Sequence, residues 1–251
     1  MRHLPAATYD PDLYADVAPW PDDHPLFEVY VFNTGAGNLG ALAAMLRALN
    51  KGIKPTLAFF VGVCGAIKDS GIGDVVYSTK VYHYEGGKEE SGGIQARPVS
   101  LETAQALTQM ALRVADKSWQ PEVVADGRIP SARPAVIASG ELVLASTEDG
   151  AKNFKLLRSA YNDAQVVDME AFGFLKAMDE TDVKLAMVVR GVSDLITNKG
   201  AADARGSQPL AARNATAFLF ALIRDCHQLV PKKPKNSRGF FDFFLPGDDD
   251  E

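Results

Sequence analysis

Between residues 27 and 230, short and almost unbroken apolar runs alternate with longer stretches whose apolar residues recur three and four positions apart. "TLAFFVGVCGAI" (56–67), "PAVIASGELV" (134–143) and "VKLAMVVRGVSDL" (183–195) are of the first kind. A strand that reads apolar on both sides is one covered on both faces. "NLGALAAMLRAL" (38–49), with Leu42, Met45, Leu46 and Leu49 at helical spacing, is of the second kind. "LETAQALTQMALRVADK" (101–117), "ASTEDGAKNFKLLRSAY" (145–161) and "SQPLAARNATAFLFALIRDCHQLV" (207–230) also read as helices, the last with Ser207 as N-cap. "LFEVYVFNTG" (26–35) and "DVVYSTKVYHYE" (74–85) read as strands, and "AQVVDMEAFGFLKAMD" (164–179) as a strand followed by a helix. Strands alternating with helices predict an α/β fold: a three-layer α/β/α sandwich around a mixed, mostly parallel central sheet.

The flanks follow other rules. Pro5, Pro11, Pro19, Pro21 and Pro25 lead us to expect an irregular segment over residues 1–26. The end, "KKPKNSRGFFDFFLPGDDDE", is basic, then aromatic, then acidic, and residues 231–251 are expected to be a disordered tail. Phe240, Phe241, Phe243 and Phe244 are its alternative use, as a docking segment. The core between them, 27–230, is expected to be one domain.

Charge and cysteine content narrow the function classes. The formal net charge of -6 argues against a nucleic-acid partner, which calls for a basic face. No run reaches the ~20 apolar residues of a membrane span. The start, "MRHLPAATYDPD", lacks the apolar centre of a signal peptide. Cys64 and Cys226 are far apart and have no metal-ligand spacing, so they read as reduced thiols of a cytoplasmic protein. No metal and no organic cofactor is implied.

Ligands of open α/β sheets bind beyond the carboxyl ends of the strands. The residues at those ends are Gly35-Ala36-Gly37, Gly62-Val63-Cys64-Gly65, Ser139-Gly140-Glu141, Met169-Glu170 and Ser193-Asp194. Glycines let a backbone approach a ligand closely. Burial disfavours the charged form of a carboxyl, which suits such a group to hold a proton. Taken singly, a buried aspartate is a structural hydrogen-bonder more often than a catalyst. The glycine turns fit many folds, and none matches the phosphate-binding G-x-x-x-x-G-K-[ST] pattern. Nothing in the pattern keeps Asp168 from facing water.

Order and spacing say more. "FVGVCGAIKDSGIGDVVYSTKVYHYE", "IASGELV", "VVDMEAFGF" and "VVRGVSDL", in that order, resemble the nucleoside phosphorylase and nucleosidase superfamily over roughly residues 27–230. "VYHYEGGKEE…RP" and "GAADARGSQPLAARNATAFLFALI" look like a branch found as domains of bacterial signalling and defence proteins. The resemblance implies cleavage of the N-glycosidic bond of a purine nucleoside or nucleotide, a small-molecule substrate. It implies that Met169 and Glu170 bind the ribose, and that Asp194, beside Ser193, delivers a proton to the purine N7. Ser139, Gly140 and Glu141 would line the base pocket, and the turn of Val63, Cys64 and Gly65 would lie beside the nucleophile. It also implies a homo-oligomer, a dimer or larger, with His83-Tyr84 or the tail reaching across a subunit contact.

Two details bear on mechanism. Bacterial purine phosphorylases of this superfamily typically show Arg-x-Gly-Ser ahead of the glycine turn, where this chain reads Phe60-Val61-Gly62-Val63. Losing the guanidinium and the hydroxyl favours water over phosphate as nucleophile, unless Arg97 or Arg190 supplies the charge. The family also opens with an apolar strand leading to a glutamate that helps activate the water, and residues 1–26 offer no such run. Either the reading frame begins too late or the strand is truly absent, which would leave unpaired edge groups on its neighbours. Glu28 stands at the wrong end of its strand to replace that glutamate. The chain is therefore expected to be a hydrolase, with a binding module that no longer turns its ligand over and a phosphate-dependent enzyme as the alternatives. A purely structural role is disfavoured by the cost of burying unpaired carboxylates.

Overall fold

The structure is a computed structural model and describes residues 4–21, 23–91, 93–117, 119, 127–144, 152–196 and 207–230. The tail and its phenylalanines lie outside the described residues. The apolar runs become strands β3 (Phe27–Val31), β4 (Leu57–Ala66), β5 (Val75–His83), β9 (Ala132–Ser139), β10 (Val166–Asp168) and β11 (Leu185–Leu195). The periodic stretches become helices α1 (Asn38–Asn50), α2 (Gln105–Ala115), α3 (Lys152–Ala160), α4 (Ala171–Asp179) and α5 (Ser207–Cys226). Ser207 is the first residue described in α5, so its expected N-cap role falls at the boundary of the described residues. A hairpin, β6 (Gly87–Glu90) with β7 (Gly93–Ala96), and the strand β8 (Val99–Glu102) follow β5 in the chain.

The central sheet runs β11-β4-β10-β9-β5-β8, and β5 also pairs with β11. Five strands thus close on themselves, with β8 added outside. The sheet is mixed. β11 with β4, β10 with β9 and β5 with β9 are parallel and carry most of the register. β10 with β4, β11 with β5 and β5 with β8 are antiparallel. Helices cover both faces, giving the expected three layers. Leu107, Met110 and Val114 of α2 and Phe218, Leu222 and Ile223 of α5 pack with Val75, Tyr77, Met187 and Val189. Met45 of α1 and Phe174, Leu175 and Met178 of α4 pack with Val76, Val81, Ile137 and Val188 on the other side. Among the described residues no helix is long and apolar enough to cross a membrane.

Residues 1–26 are not irregular throughout. β1 (Thr8–Asp10) and β2 (Ala15–Trp20) pair with β3 in a separate three-stranded antiparallel sheet. Pro19 is tolerated inside β2 because β1 reaches only as far as Val17, so the missing N–H removes no bond on that side. Trp20 anchors this sheet, buried 5.4 Å from the Phe220 ring of α5. On the side away from β11, β4 meets β10 only at Gly65 and Ala66, so Leu57 to Cys64 has no strand there among the described residues.

Candidate active site

The sequence-predicted residues form two groups at the ends of β4, β9, β10 and β11. The first surrounds Asp194. A register shift between Val192 and Asp194 lets Asp194, rather than Ser193, pair with Gly65 of β4. Such bulges re-aim a side chain beside many active sites. On the opposite edge of β4, Gly65 pairs with Val167 of β10. The absence of a Cβ is what makes room: one built on Gly65 would lie 3.0 Å from Asp194 Oδ1 and 3.5 Å from Val167. Asp194 is 3% exposed. Its Oδ2 accepts a hydrogen bond from Ser193 Oγ at 2.8 Å, while its Oδ1 is buried with no partner among the described residues. Ser193 Oγ also lies 3.2 Å from the Cys64 carbonyl. Burial pushes the Cys64 thiol well above its ordinary value, so Cys64 contributes its backbone and not a thiolate nucleophile.

The second group surrounds Glu170. Glu170 stands at the start of α4 without capping it. That task falls to Asp168, whose carboxylate accepts the Ala171 N–H at 3.1 Å. Asp168 does not face water: it is buried and receives Arg190 Nε at 2.9 Å. Arg190 lies over the Phe60 ring at 4.3 Å and its Nη2 is 3.6 Å from Glu170 Oε2. A side chain at Gly62 would collide with this guanidinium. Glu170 Oε1 accepts the Gly37 N–H at 3.2 Å, and both Glu170 and Met169 are half-buried. The Glu170 carboxylate is thus held by one backbone amide and one cation while remaining partly open.

Ser139, Gly140 and Glu141 follow β9, beside β10 on the side away from β4 and β11. Ser139 is fully buried; its Oγ donates to Asn38 Oδ1 at 2.9 Å and accepts the Phe172 N–H at 3.2 Å. Its side chain therefore ties α1 to α4 and does not reach outward. Gly140 packs against Tyr84 and Glu85, where a Cβ would clash. Glu85 accepts the N–H groups of Glu141 at 2.8 Å and Leu142 at 3.1 Å. Val63 is half-buried beside Gly62. His83 stacks on Phe172 at 5.2 Å, and Tyr84 is too buried to reach a second subunit. Arg97 is exposed, while Arg190 is already engaged.

Sequence reasoning missed Asn38, Glu85 and the Arg190–Asp168 pair. The pair was signalled by two charges in otherwise apolar strands, since a buried charge needs a partner. Asn38 and Glu85 carry no comparable signal. Among the described residues no group of three or more His, Cys, Asp or Glu side chains is placed to hold a metal ion.

The profile of the phosphorylase superfamily matches residues 27–224. The ATP nucleosidase Cap17 of Escherichia coli (strain KTE188) is 30% identical over 194 residues, covering 68% of this chain and 37% of that protein. The chain thus spans well under half the length of that relative. A 5'-methylthioadenosine/S-adenosylhomocysteine nucleosidase of Haemophilus ducreyi is 24% identical over 202 residues, covering 78% of this chain and 80% of that one. The crystal structure of a nucleosidase of the latter kind from Neisseria meningitidis, in complex with methylthio-immucillin-A, matches with a TM-score of 0.69 at 16% identity. It covers 89% of this chain and 91% of that one, a likeness of fold. Closed mixed sheet, glycine turn, paired strand-end carboxylates and a profile match spanning most of the chain agree: it belongs to the phosphorylase superfamily.

Proposed function

We propose that this chain cleaves the N-glycosidic bond of a purine nucleoside or nucleotide by hydrolysis. Asp194 donates a proton to the leaving base, and Glu170 holds the ribose hydroxyls. The observation that carries this reading is the Asp194 carboxyl, buried at a strand bulge with Oδ1 unpartnered among the described residues. A buried polar atom without a partner calls for an explanation, and a ligand atom that completes its hydrogen bonding is the one this strand end suits. Breaking the bond builds positive charge on the sugar, as in glycoside hydrolysis, and Glu170 is a carboxylate at the sugar side. Met169 and the Gly65 turn complete the ribose side, and the turn after Ser139 lines the base.

Hydrolysis is preferred to phosphorolysis on two counts. Phe60 fills the place beside the glycine turn with a ring stacked on Phe174 at 5.2 Å. Arg190, the nearest cation to Glu170 among the described residues, is 2% exposed and bound to Asp168, so it offers no open anion site. The relatives named above as nucleosidases point the same way.

The test is base release from adenosine, inosine, methylthioadenosine, AMP and ATP, with and without phosphate, followed by chromatography. Release without phosphate is expected, and Asp194→Asn and Glu170→Gln should each lower it by roughly 10²-fold or more. Release that depends on phosphate would overturn hydrolysis. Silence on every substrate would leave a binding module as the better reading.

A further inference from the structure

Hydrolysis needs a group that takes the proton of the attacking water, and the carboxylates near Glu170 can be sorted by what they already hold. Asp168 receives Arg190 and caps α4. Glu85 accepts two backbone amides, closing the turn after β9. Asp194 holds the acid role on the base side. Glu170 is fixed between Gly37 and Arg190. Glu141 is different. Its backbone is clamped by Glu85, but its carboxylate has no hydrogen bond and no ion pair among the described residues. Yet it is not simply directed into bulk solvent: Oε2 would lie 2.9 Å from a Cβ at Gly37, the residue whose N–H binds Glu170. Two carboxylates, Glu141 and Glu170, therefore meet the same peptide unit, one engaged and one free. Gly37, at φ 82, keeps the space between them open.

We infer that Glu141 is the general base of the hydrolysis, a catalytic residue on the sugar side rather than only a lining of the base pocket. The inference rests on the nucleosidase reading above. As the water oxygen bonds to the anomeric carbon, a water proton passes to Glu141. The carbon–nitrogen bond breaks, its electron pair goes to the purine, and the proton from Asp194 neutralises the leaving base. Glu141 is exposed at the rim, so water reaches it without any rearrangement.

The experiment compares native chain, Glu141→Gln and Glu141→Asp on the purine substrate that the native chain cleaves best. Glu141→Gln should lower kcat by roughly 10²–10⁴-fold with KM little changed, and should remove the acid limb of the kcat pH profile. Glu141→Asp should recover part of the loss. Azide attacks without losing a proton, so adding it should restore base release in Glu141→Gln but not in Asp194→Asn. A Glu141→Gln variant as fast as native overturns this inference and leaves the nucleosidase reading intact, as does a variant that azide fails to rescue. A native chain that releases no base from any substrate overturns both.

Discussion

Two glycines, on neighbouring strands, are required for opposite reasons. Gly65 leaves space for the carboxylate proposed as the acid, with Asp194 Oδ1 3.0 Å and Val167 3.5 Å from where a Cβ would stand. Both neighbours are side-chain atoms that can give by a few tenths of an ångström. Gly191 instead lies against the backbone of Ala211 in α5, where a Cβ would meet the carbonyl oxygen. Backbone held inside a long helix cannot yield. Gly65→Ala should therefore displace the Asp194 carboxyl, lowering kcat on the order of tenfold, while costing no more than about 1 kcal/mol of stability. Gly191→Ala should do the reverse and destabilise the fold by about 3 kcal/mol, through overpacking between β11 and α5. Thermal melting and initial rates on both variants check this; equal melting temperatures would refute it.

The junction of β10 and α4 explains why the chain runs two carboxylates through an apolar stretch. Asp168 is structural: it caps the helix and neutralises Arg190. Glu170, two residues on, shares that cation but stays partly open. Breaking a buried pair by removing one partner leaves the other charge uncompensated. Arg190→Met alone should thus cost about 3–5 kcal/mol, and Arg190→Met with Asp168→Asn together should recover much of that loss. Denaturant melts of the single and double variants measure the coupling; strictly additive losses would show that the pair is unimportant. This junction also marks what sequence alone can tell. The element boundaries near 166–179 follow from an apolar run giving way to helical spacing. The partner of Asp168 does not, because Arg190 is on another strand and pairing needs the register of β11, β4 and β10. Strand direction is likewise silent in apolar periodicity, so the closure of β5 onto β11 was not legible. β1 and β2 were hidden by prolines, of which only Pro19 falls inside a strand, where β1 is too short to need the missing N–H. Glu170, Asp194 and the glycine turn were legible as strand-end residues from the apolar runs, and their expected roles only through family motifs.

At the scale of the molecule, the end of β11 that carries Asp194 is held by a turn far from it in sequence. The Val192 N–H donates to the Asp74 carbonyl at 2.8 Å, and the Gly73 N–H donates to the Val192 carbonyl at 2.8 Å. Asn214 of α5 donates to the Gly73 carbonyl at 2.8 Å. The Asp74 carboxylate organises this turn, accepting from Arg128 at 2.6 Å, the Ser131 N–H at 2.8 Å and the Gly71 N–H at 2.9 Å. Burial pushes the Asp74 carboxyl up, but those backbone amides and the Arg128 guanidinium outweigh it and hold it below the ordinary value of 3.8. A native value below the unfolded one means that Asp74 contributes its full stability above that ordinary value. The contribution is lost as the pH falls through the native value. Asp74→Asn should accordingly lower stability near neutral pH by ~2 kcal/mol, or the melting temperature by roughly 4–8 °C. The gap between native and variant should narrow as the pH is lowered from about 6 to about 3, because protonation removes from the native chain what the variant already lacks. Melting curves across that range provide the check, and a gap that stays constant with pH would show that the carboxylate's charge is not what holds the turn.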